Sequence, residues 1–209
     1  ELSYHTPFRY QVDTAERILE LYENSRFHNT AVILSGLPNA GKSYTLKVLK
    51  KMFDRRYPNK LVRYITNFDP RLIGNDITNL VLNFVSAETP AIIFLDELQE
   101  ILRFVFQTRD NYAGDNRGRH ANDIGTWNTF IDLIRDTPNV ILVGATMESF
   151  DGLKQILRNG RENDDNESNL SMIRHGRFDG IITMTRDEDT NRGTMEYIEN
   201  DIGVRNWTI

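Results

Sequence analysis

The sequence predicts an α/β protein, a three-layer α/β/α sandwich around a central, mostly parallel sheet of five strands. Strand-like and helix-like segments alternate along the 209 residues, and this order is typical of parallel sheets whose crossovers are helices. Residues 91–95 and 140–145 are unbroken apolar runs, as expected of strands that are buried on both faces. A glycine-rich stretch between one predicted strand and the next helix lies where such sheets bind ligands.

The first half of the chain predicts three helices and two strands. Residues 10–25 place apolar side chains at helical spacing, and residues 30–35 form a short apolar strand. After the glycine-rich stretch, residues 42–53 predict a helix, residues 61–66 a second strand and residues 77–87 a further helix.

The second half continues the alternation. The apolar strand at 91–95 is followed by predicted helices over 98–106 and 124–134. Two more strands are predicted, over 140–145 and 180–185. With these, the predicted sheet has five strands.

Two polar stretches, residues 109–122 and 159–171, lack apolar periodicity and predict exposed loops. The first carries Arg109, Arg117 and Arg119 with Tyr112, so it could touch nucleic acid or an acidic peptide. A solvated loop is the simpler interpretation.

The composition excludes several classes of protein. The chain has no cysteine, which rules out thiol catalysis, cysteine metal sites and disulfides. Its four histidines have no metal-ligand spacing, and no run of 18 apolar residues occurs. The net charge of −5 argues against a dedicated nucleic-acid binder without excluding a local basic patch. We expect a soluble intracellular protein, cytoplasmic or nuclear, with no membrane segment in this chain.

The glycine-rich stretch is GLPNAGKS, which fits the phosphate-binding pattern G-x-x-x-x-G-K-[ST], also called Walker A. Its glycines let backbone N–H groups point at phosphates, and the following helix adds its positive N-terminal end. Lys42 is expected to reach the β- and γ-phosphates and Ser43 to ligate Mg²⁺. The predicted nucleotide-binding residues are Gly36, Leu37, Pro38, Asn39, Ala40, Gly41, Lys42, Ser43 and Tyr44.

A pair of acids follows the apolar strand in AIIFLDELQE, the pattern called Walker B. Asp96 is placed to hold Mg²⁺ and Glu97 to polarise the attacking water, as in other ATPases with this loop. Acids also occur at this place as simple helix N-caps. The pairing with a phosphate loop favours the catalytic interpretation.

The identity of the nucleotide is open at this point, because Obg-type GTPases use a similar loop. A guanine site needs an NKxD motif, but Asn59 and Lys60 are not followed by an aspartate at the required position. The stretch from Asp115 to Gly118 fits DxxG only within a polar loop. ATP is therefore the better prediction.

Over roughly residues 61–186 the chain resembles the AAA+ ATPases, a group of P-loop NTPases. The similarity is closest to the clade of katanin-like severing enzymes and membrane-bound AAA proteases. It rests on RLIGNDITNLVLNFVSAETPAIIFLDELQEIL at 71–102, NVILVGATM at 139–147 and SMIRHGRFDGII at 171–182. The order and spacing of these stretches make the resemblance specific.

The resemblance implies further site residues. Arg174 and Arg177 match the arginine fingers that reach into the neighbouring subunit's nucleotide. Met147 stands where the family has the asparagine of its sensor 1, so Thr146 or Glu148 would have to substitute, or hydrolysis is slow.

The resemblance also implies an organisation and an assembly. Residues 1–186 are expected to form the large α/β subdomain, with a helical segment over 1–29. Residues 187–209 would begin, or be a remnant of, the helical lid. Leu72-Ile73-Gly74 takes the place of the pore loop, with leucine instead of the usual aromatic, although Phe68 is close by. The family assembles as rings, so a homo-oligomer, a hexamer, is expected.

Three functions are compatible with these patterns. The first is an ATP-hydrolysing ring module, with ATP and Mg²⁺, that remodels a protein substrate. The second is a DNA-associated ATPase, such as a viral-type helicase or loader. The third is a switch or scaffold that binds ATP but hydrolyses it weakly.

Overall fold

Five parallel strands form the centre of the sheet. The computed structural model describes residues 6–66, 68–72, 76–107, 121–158, 171–184, 194–199 and 203–208. The strands are β1 (Thr30–Ser35), β2 (Arg63–Ile65), β3 (Ala91–Leu95), β4 (Val140–Thr146) and β5 (Gly180–Thr183). Their order across the sheet is β2-β3-β4-β1-β5, and each neighbouring pair is parallel. The predicted fold class is confirmed.

Helices cover both faces of this sheet. They are α1 (Arg9–Asn24), α2 (Lys42–Arg56), α3 (Ile77–Leu80), α4 (Leu98–Gln107), α5 (Ile124–Asp136) and α6 (Phe150–Arg158). Alternate residues of each strand point to opposite faces, so Ile33 and Leu34 belong to two different cores. One core packs α1 and α2 on the sheet, and the other packs α3 to α6. The chain therefore has the three layers expected.

Three predicted elements differ in detail. The helix predicted over 77–87 ends at Leu80, since Val81 leaves helical geometry (φ −132°), and a 3-10 turn follows at Leu82–Phe84. The strand predicted at 180–185 is described as far as Thr183. Helix α6 was not predicted, although Leu153 and Leu157 lie on its buried side at helical spacing.

The C-terminal residues differ most from expectation. Strands β6 (Thr194–Glu199) and β7 (Gly203–Thr208) form an antiparallel hairpin that extends the sheet beside β5. The expectation of a helical lid is thus wrong for these residues. Their sequences, TMEYIE and GVRNWT, are rich in β-branched and aromatic residues, which favour strands.

Some predicted features lie outside the described residues. These are Ile73 and Gly74 of the expected pore loop, residues 109–120 of the basic loop and most of the second polar loop. Among the helices that the structure describes, none is both long and apolar enough to span a membrane.

Candidate nucleotide-binding site

The glycine loop leaves β1 at its carboxyl end and runs directly into α2. The Gly36 N–H donates a hydrogen bond to the Thr146 carbonyl of β4 at 3.1 Å, which ties the start of the loop to the neighbouring strand. The chain then turns through Asn39 and Gly41, both with positive φ (68° and 85°). Thr45 N–H donates to the Gly41 carbonyl at 2.8 Å, so the helix begins immediately after the loop.

Both motif glycines have a close neighbour at the place where a side chain would begin. A Cβ on Gly41 would lie 2.1 Å from the Gln11 Nε2 atom, and a Cβ on Gly36 would lie 2.7 Å from the Met184 carbonyl oxygen. At Gly41 the positive φ adds a backbone reason for glycine. The loop is thus packed from behind, and its curl is fixed by its neighbours.

Helix α1 supplies part of that packing, through residues that the sequence did not identify. The Tyr10 hydroxyl donates a hydrogen bond to the Ala40 carbonyl at 2.9 Å, and both residues are buried. Gln11 is 3% exposed and lies against Gly41. Neither residue belongs to a recognisable motif. Each contacts a loop residue 30 positions further along the chain, and a local sequence pattern does not record such a contact.

Lys42 lies over the loop that it follows. Its Nζ atom donates hydrogen bonds to the carbonyls of Gly36 and Leu37, the latter at 3.1 Å. Burial lowers the pKa of this ammonium group, and the nearby negative charge of Asp96 opposes the shift. The first turn of α2 holds no acidic residue, so the helix end and Lys42 together present positive charge.

The two acids sit on the turn between β3 and α4. Asp96 and Glu97 are both exposed, and the Glu97 N–H donates to Asp96 Oδ1 at 3.0 Å. Glu97 has a φ of 50°, a left-handed conformation that costs energy for a residue with a side chain. Such strain is concentrated at functional sites.

Strand β4 lies between β1 and β3, so its last residues stand between the loop and the acids. Thr146 is buried, and its Oγ1 accepts a hydrogen bond from the Glu148 N–H at 3.0 Å. The Glu148 carboxylate is paired with Arg103 of α4 at 2.8 Å. Met147, which stands between Thr146 and Glu148 in the sequence, is 50% exposed. Of the two predicted substitutes for the sensor asparagine, Glu148 is therefore already engaged, while the Thr146 hydroxyl can still donate one hydrogen bond.

The two predicted finger arginines have different environments. Arg174 is exposed. Arg177 is only 7% exposed, and its guanidinium forms two parallel hydrogen bonds to Asp132 of α5, each 2.8 Å long. Arg177 is therefore engaged within its own chain, unlike the role that the family resemblance implies.

The structure does not bring Arg174 together with its own glycine loop. Arg174 precedes β5, whereas the loop follows β1, and these parallel strands pair from Val32 and Gly180 onward. Asp179, just before β5, donates its N–H to the Ala31 carbonyl at 2.7 Å. From Ala31 to Gly36 the strand rises about 16 Å, at roughly 3.3 Å per residue. The segment with Arg174 thus leads into the amino end of β5, whereas the loop follows the carboxyl end of the neighbouring strand β1.

The described part of the expected pore loop gives a mixed result. Leu72 is 55% exposed. Phe68 is buried and stacks on Phe130 with ring centroids 5.7 Å apart. Phe68 is thus a core residue and does not substitute for the missing aromatic.

A cavity of about 520 Å³ lies between the N-terminal segment and α2. Its apolar lining includes Pro7, Val12, Tyr44 and Val48. Of these residues, Tyr44 follows the phosphate motif in the sequence, and Lys47, Lys51 and Arg55 add basic side chains to the lining.

Comparison with known families agrees with this geometry. Residues 32–170, which are more than half of the chain, match the model of the ATPase family associated with various cellular activities (AAA). A search of curated proteins returned no match. The matched range includes the glycine loop, both acids and the β4 strand between them. The chain therefore belongs to the AAA family of ATPases and carries its nucleotide-binding module.

Proposed function

We propose that this chain hydrolyses ATP in a ring, hexameric by analogy with the clade it resembles, and that each subunit lends Arg174 to its neighbour's site. The observation that carries the proposal is that exposed Arg174 precedes the amino end of β5, whereas the glycine loop follows the carboxyl end of the neighbouring β1. An exposed arginine in that position cannot serve its own site without refolding the sheet. It suits an interface between two copies, where it would reach the next subunit's phosphates.

The glycine loop would hold the triphosphate. Its backbone N–H groups and the α2 N-terminus suit negatively charged oxygens, and Lys42 supplies a mobile cation. In this structure the Lys42 ammonium is bound to loop carbonyls, so it would exchange these weaker partners for phosphate. Burial lowers the pKa of Lys42, and a phosphate bound beside it would oppose that shift by favouring the charged ammonium.

Ser43 and Asp96 fit a magnesium site. Both are exposed oxygen-bearing side chains at one edge of the sheet, and Asp96 is near enough to act on the pKa of Lys42. Oxygen ligands and several retained waters are what Mg²⁺ prefers. When bound there, the ion would neutralise charge on the phosphates.

Glu97 would orient the attacking water. Water attacks the γ-phosphorus while the bond to the ADP oxygen breaks, and Glu97 accepts a hydrogen bond from that water. The left-handed backbone of Glu97 supports the proposal, because strain of this kind persists where a side chain has to be held in place. Thr146 would supply a hydrogen bond from the neighbouring strand.

The apolar cavity beside Tyr44 would take the base. Its volume and its apolar lining suit an adenine ring. The preference for adenine over guanine rests on the missing guanine motifs in the sequence.

The trans arginine is tested by mixing inactive subunits. Glu97→Gln subunits keep Arg174 and lack the water-orienting carboxylate, whereas Arg174→Ala subunits keep Glu97. Each variant alone should lose turnover by a factor on the order of 10³ or more. Mixed together, they should recover part of the ATPase rate, because some sites then have both groups. Arg158→Ala, an exposed arginine on α6, is the matched control and should be silent.

The rate of the unmodified chain should rise more steeply than linearly with protein concentration. A flat specific activity, with no recovery in the mixture, would contradict a shared site. Negligible turnover at every concentration would support the nucleotide-dependent switch instead. Salt-sensitive binding to single-stranded DNA would favour the DNA-associated ATPase over a protein remodeller.

A further inference from the structure

The segment that carries Arg174 is fastened along one side of helix α5. Trp127 Nε1 donates to the Met172 carbonyl at 3.1 Å, and Asn128 Nδ2 donates to Ser171 Oγ at 3.3 Å. Two arginine–aspartate pairs follow further along the helix. Residues 171–179 are thus held by successive turns of a single rigid element.

The first pair joins Arg177 of the segment to Asp132 of the helix. Both hydrogen bonds measure 2.8 Å, and the third guanidinium nitrogen donates to the Ser171 carbonyl. The Arg177 side chain is almost fully buried, while half of the Asp132 side chain is exposed. All three nitrogens of the Arg177 guanidinium therefore already donate hydrogen bonds within their own chain.

In the second pair the arginine is on the helix and the aspartate on the segment: Arg135 pairs with Asp179. Its two hydrogen bonds are also 2.8 Å long, and Arg135 Nε donates to the Gly176 carbonyl at 3.2 Å. Asp179 Oδ2 accepts further hydrogen bonds from Thr30 Oγ1 at 2.7 Å and from the Ala31 N–H at 2.9 Å. This pair connects the segment to the first residues of β1 as well as to α5.

The turn that presents Arg174 lies beside these two pairs. The N–H groups of Arg177 and Phe178 both donate to the Arg174 carbonyl, at 3.1 and 3.2 Å. Gly176 completes the turn with a φ of 93°. The backbone of Arg174 is thus fixed by residues that are themselves fixed to α5, whereas its side chain is exposed.

We infer that Arg177 is a positioning residue: it holds the Arg174 turn through Asp132 and does not itself contact the neighbour's nucleotide. This inference rests on the proposed role of Arg174. To reach another subunit, Arg177 would have to leave two short charged hydrogen bonds and a buried site. The geometry instead gives the two arginines separate tasks, one of support and one of contact.

A set of single and double variants tests the inference. Arg177→Lys removes the fork but keeps the charge, and Asp132→Asn removes the partner's charge at constant shape. Each should lower kcat by roughly ten- to hundredfold, as expected when a catalytic group is slightly misplaced. KM for ATP should change little, since the glycine loop is untouched. The double variant should be no worse than either single variant.

Two comparisons make the result specific. On an Arg174→Ala background, neither Arg177→Lys nor Asp132→Asn should lower kcat further, because each acts through Arg174. Asp136→Asn, an exposed aspartate one turn along α5, should leave kcat unchanged. Thermal unfolding of each variant checks the fold. If Asp132→Asn folds poorly, Asp132→Glu keeps the charge and displaces the carboxylate.

Three outcomes overturn one idea or the other. If Arg177→Lys is severe and Asp132→Asn is silent, Arg177 contacts the nucleotide directly and the inference fails. If both are silent while Arg174→Ala is severe, the pair is not needed for positioning and the inference also fails. If Arg174→Ala itself is silent, the proposed shared site fails, whatever the other variants do.

Discussion

The hydroxyl of Tyr10 donates a hydrogen bond to the carbonyl of Ala40 at 2.9 Å, and this bond joins helix α1 to the phosphate-binding loop. The contact spans 30 positions of sequence and is fully buried. It makes the N-terminal helix part of the nucleotide site, since the loop cannot change its curl without disturbing α1.

Removing that hydroxyl should loosen the loop. Tyr10→Phe leaves the Ala40 carbonyl buried without its donor, and we expect a loss of about 1–2 kcal/mol in the free energy of unfolding. The affinity for ATP should also fall. Urea unfolding and calorimetric ATP titration measure the two effects.

Tyr22→Phe is the matched control on the same helix. The Tyr22 hydroxyl is buried and has no hydrogen-bond partner among the described residues, and burial raises its pKa to about 12. Removing it should therefore be neutral or slightly stabilising. Equal losses in the two variants would mean that the bond from Tyr10 contributes nothing specific.

Alanine substitution at two glycines should separate backbone strain from steric clash. Gly41 and Gly176 both have positive φ, but a Cβ at Gly176 has no atom within 4 Å, whereas one at Gly41 meets Gln11. Gly176→Ala should lower the free energy of unfolding by about 1–2 kcal/mol, because backbone strain is its only cost. Gly41→Ala should cost more and should also weaken ATP binding.

A compensating variant checks the steric part of this difference. In Gly41→Ala/Gln11→Ala the clashing amide is absent, so the cost of the alanine at position 41 should approach that of Gly176→Ala. The reference is Gln11→Ala alone, measured by the same urea unfolding. An unchanged cost in the double variant would show that Gln11 is not what excludes a side chain at Gly41.

The Arg177–Asp132 pair should make stability depend on acid pH. Hydrogen bonds from Arg177 hold the pKa of the Asp132 carboxyl below its usual value. A carboxylate with a lowered folded-state pKa stabilises the fold above the unfolded-chain pKa of about 3.9, and this contribution is lost as the pH falls through the folded-state pKa. The difference in unfolding free energy between the unmodified chain and Asp132→Asn should therefore be largest near neutral pH and should shrink below about pH 4. Urea unfolding across this range measures it, and a difference independent of pH would contradict the pairing.

Met147→Asn should raise the rate of hydrolysis. A thioether forms only weak hydrogen bonds, whereas an asparagine amide both donates and accepts. Met147 is half-exposed beside Thr146, so the more polar side chain of asparagine can be accommodated there. Loss of a single hydrogen bond to a reacting group lowers kcat by about 10²–10³. We expect Met147→Asn to raise kcat by about 10² or less. Steady-state ATPase assays measure the gain, and Met147→Leu is the control that should change nothing.

Local patterns were enough to predict the five parallel strands and the glycine loop. Each strand is a short apolar run, and the loop motif has fixed spacing, so neither depends on distant residues. The hydrogen bond from Tyr10 and the pairing of Arg177 with Asp132 could not be predicted in this way. They join residues 30 and 45 positions apart, and only the packed fold makes them neighbours.

The C-terminal hairpin shows a different limit. Family resemblance suggested a lid helix where β6 and β7 occur, although the residues there have strand propensities. An expectation carried over from relatives outweighed the local signal.

The break after Leu80 had no signal in the periodicity, since apolar residues continue through Phe84.

Strand β1 is six residues long, and its two ends have different chemical surroundings. At Thr30 and Ala31 it holds the Asp179 carboxylate, which steadies the turn carrying Arg174. At Ser35 it passes into the loop that would hold the subunit's own nucleotide. In the proposed ring, consecutive ATP sites would therefore be joined by one short, fully buried strand in each subunit. A displacement at one site would be relayed to the next mechanically, without passing through solvent or a flexible linker.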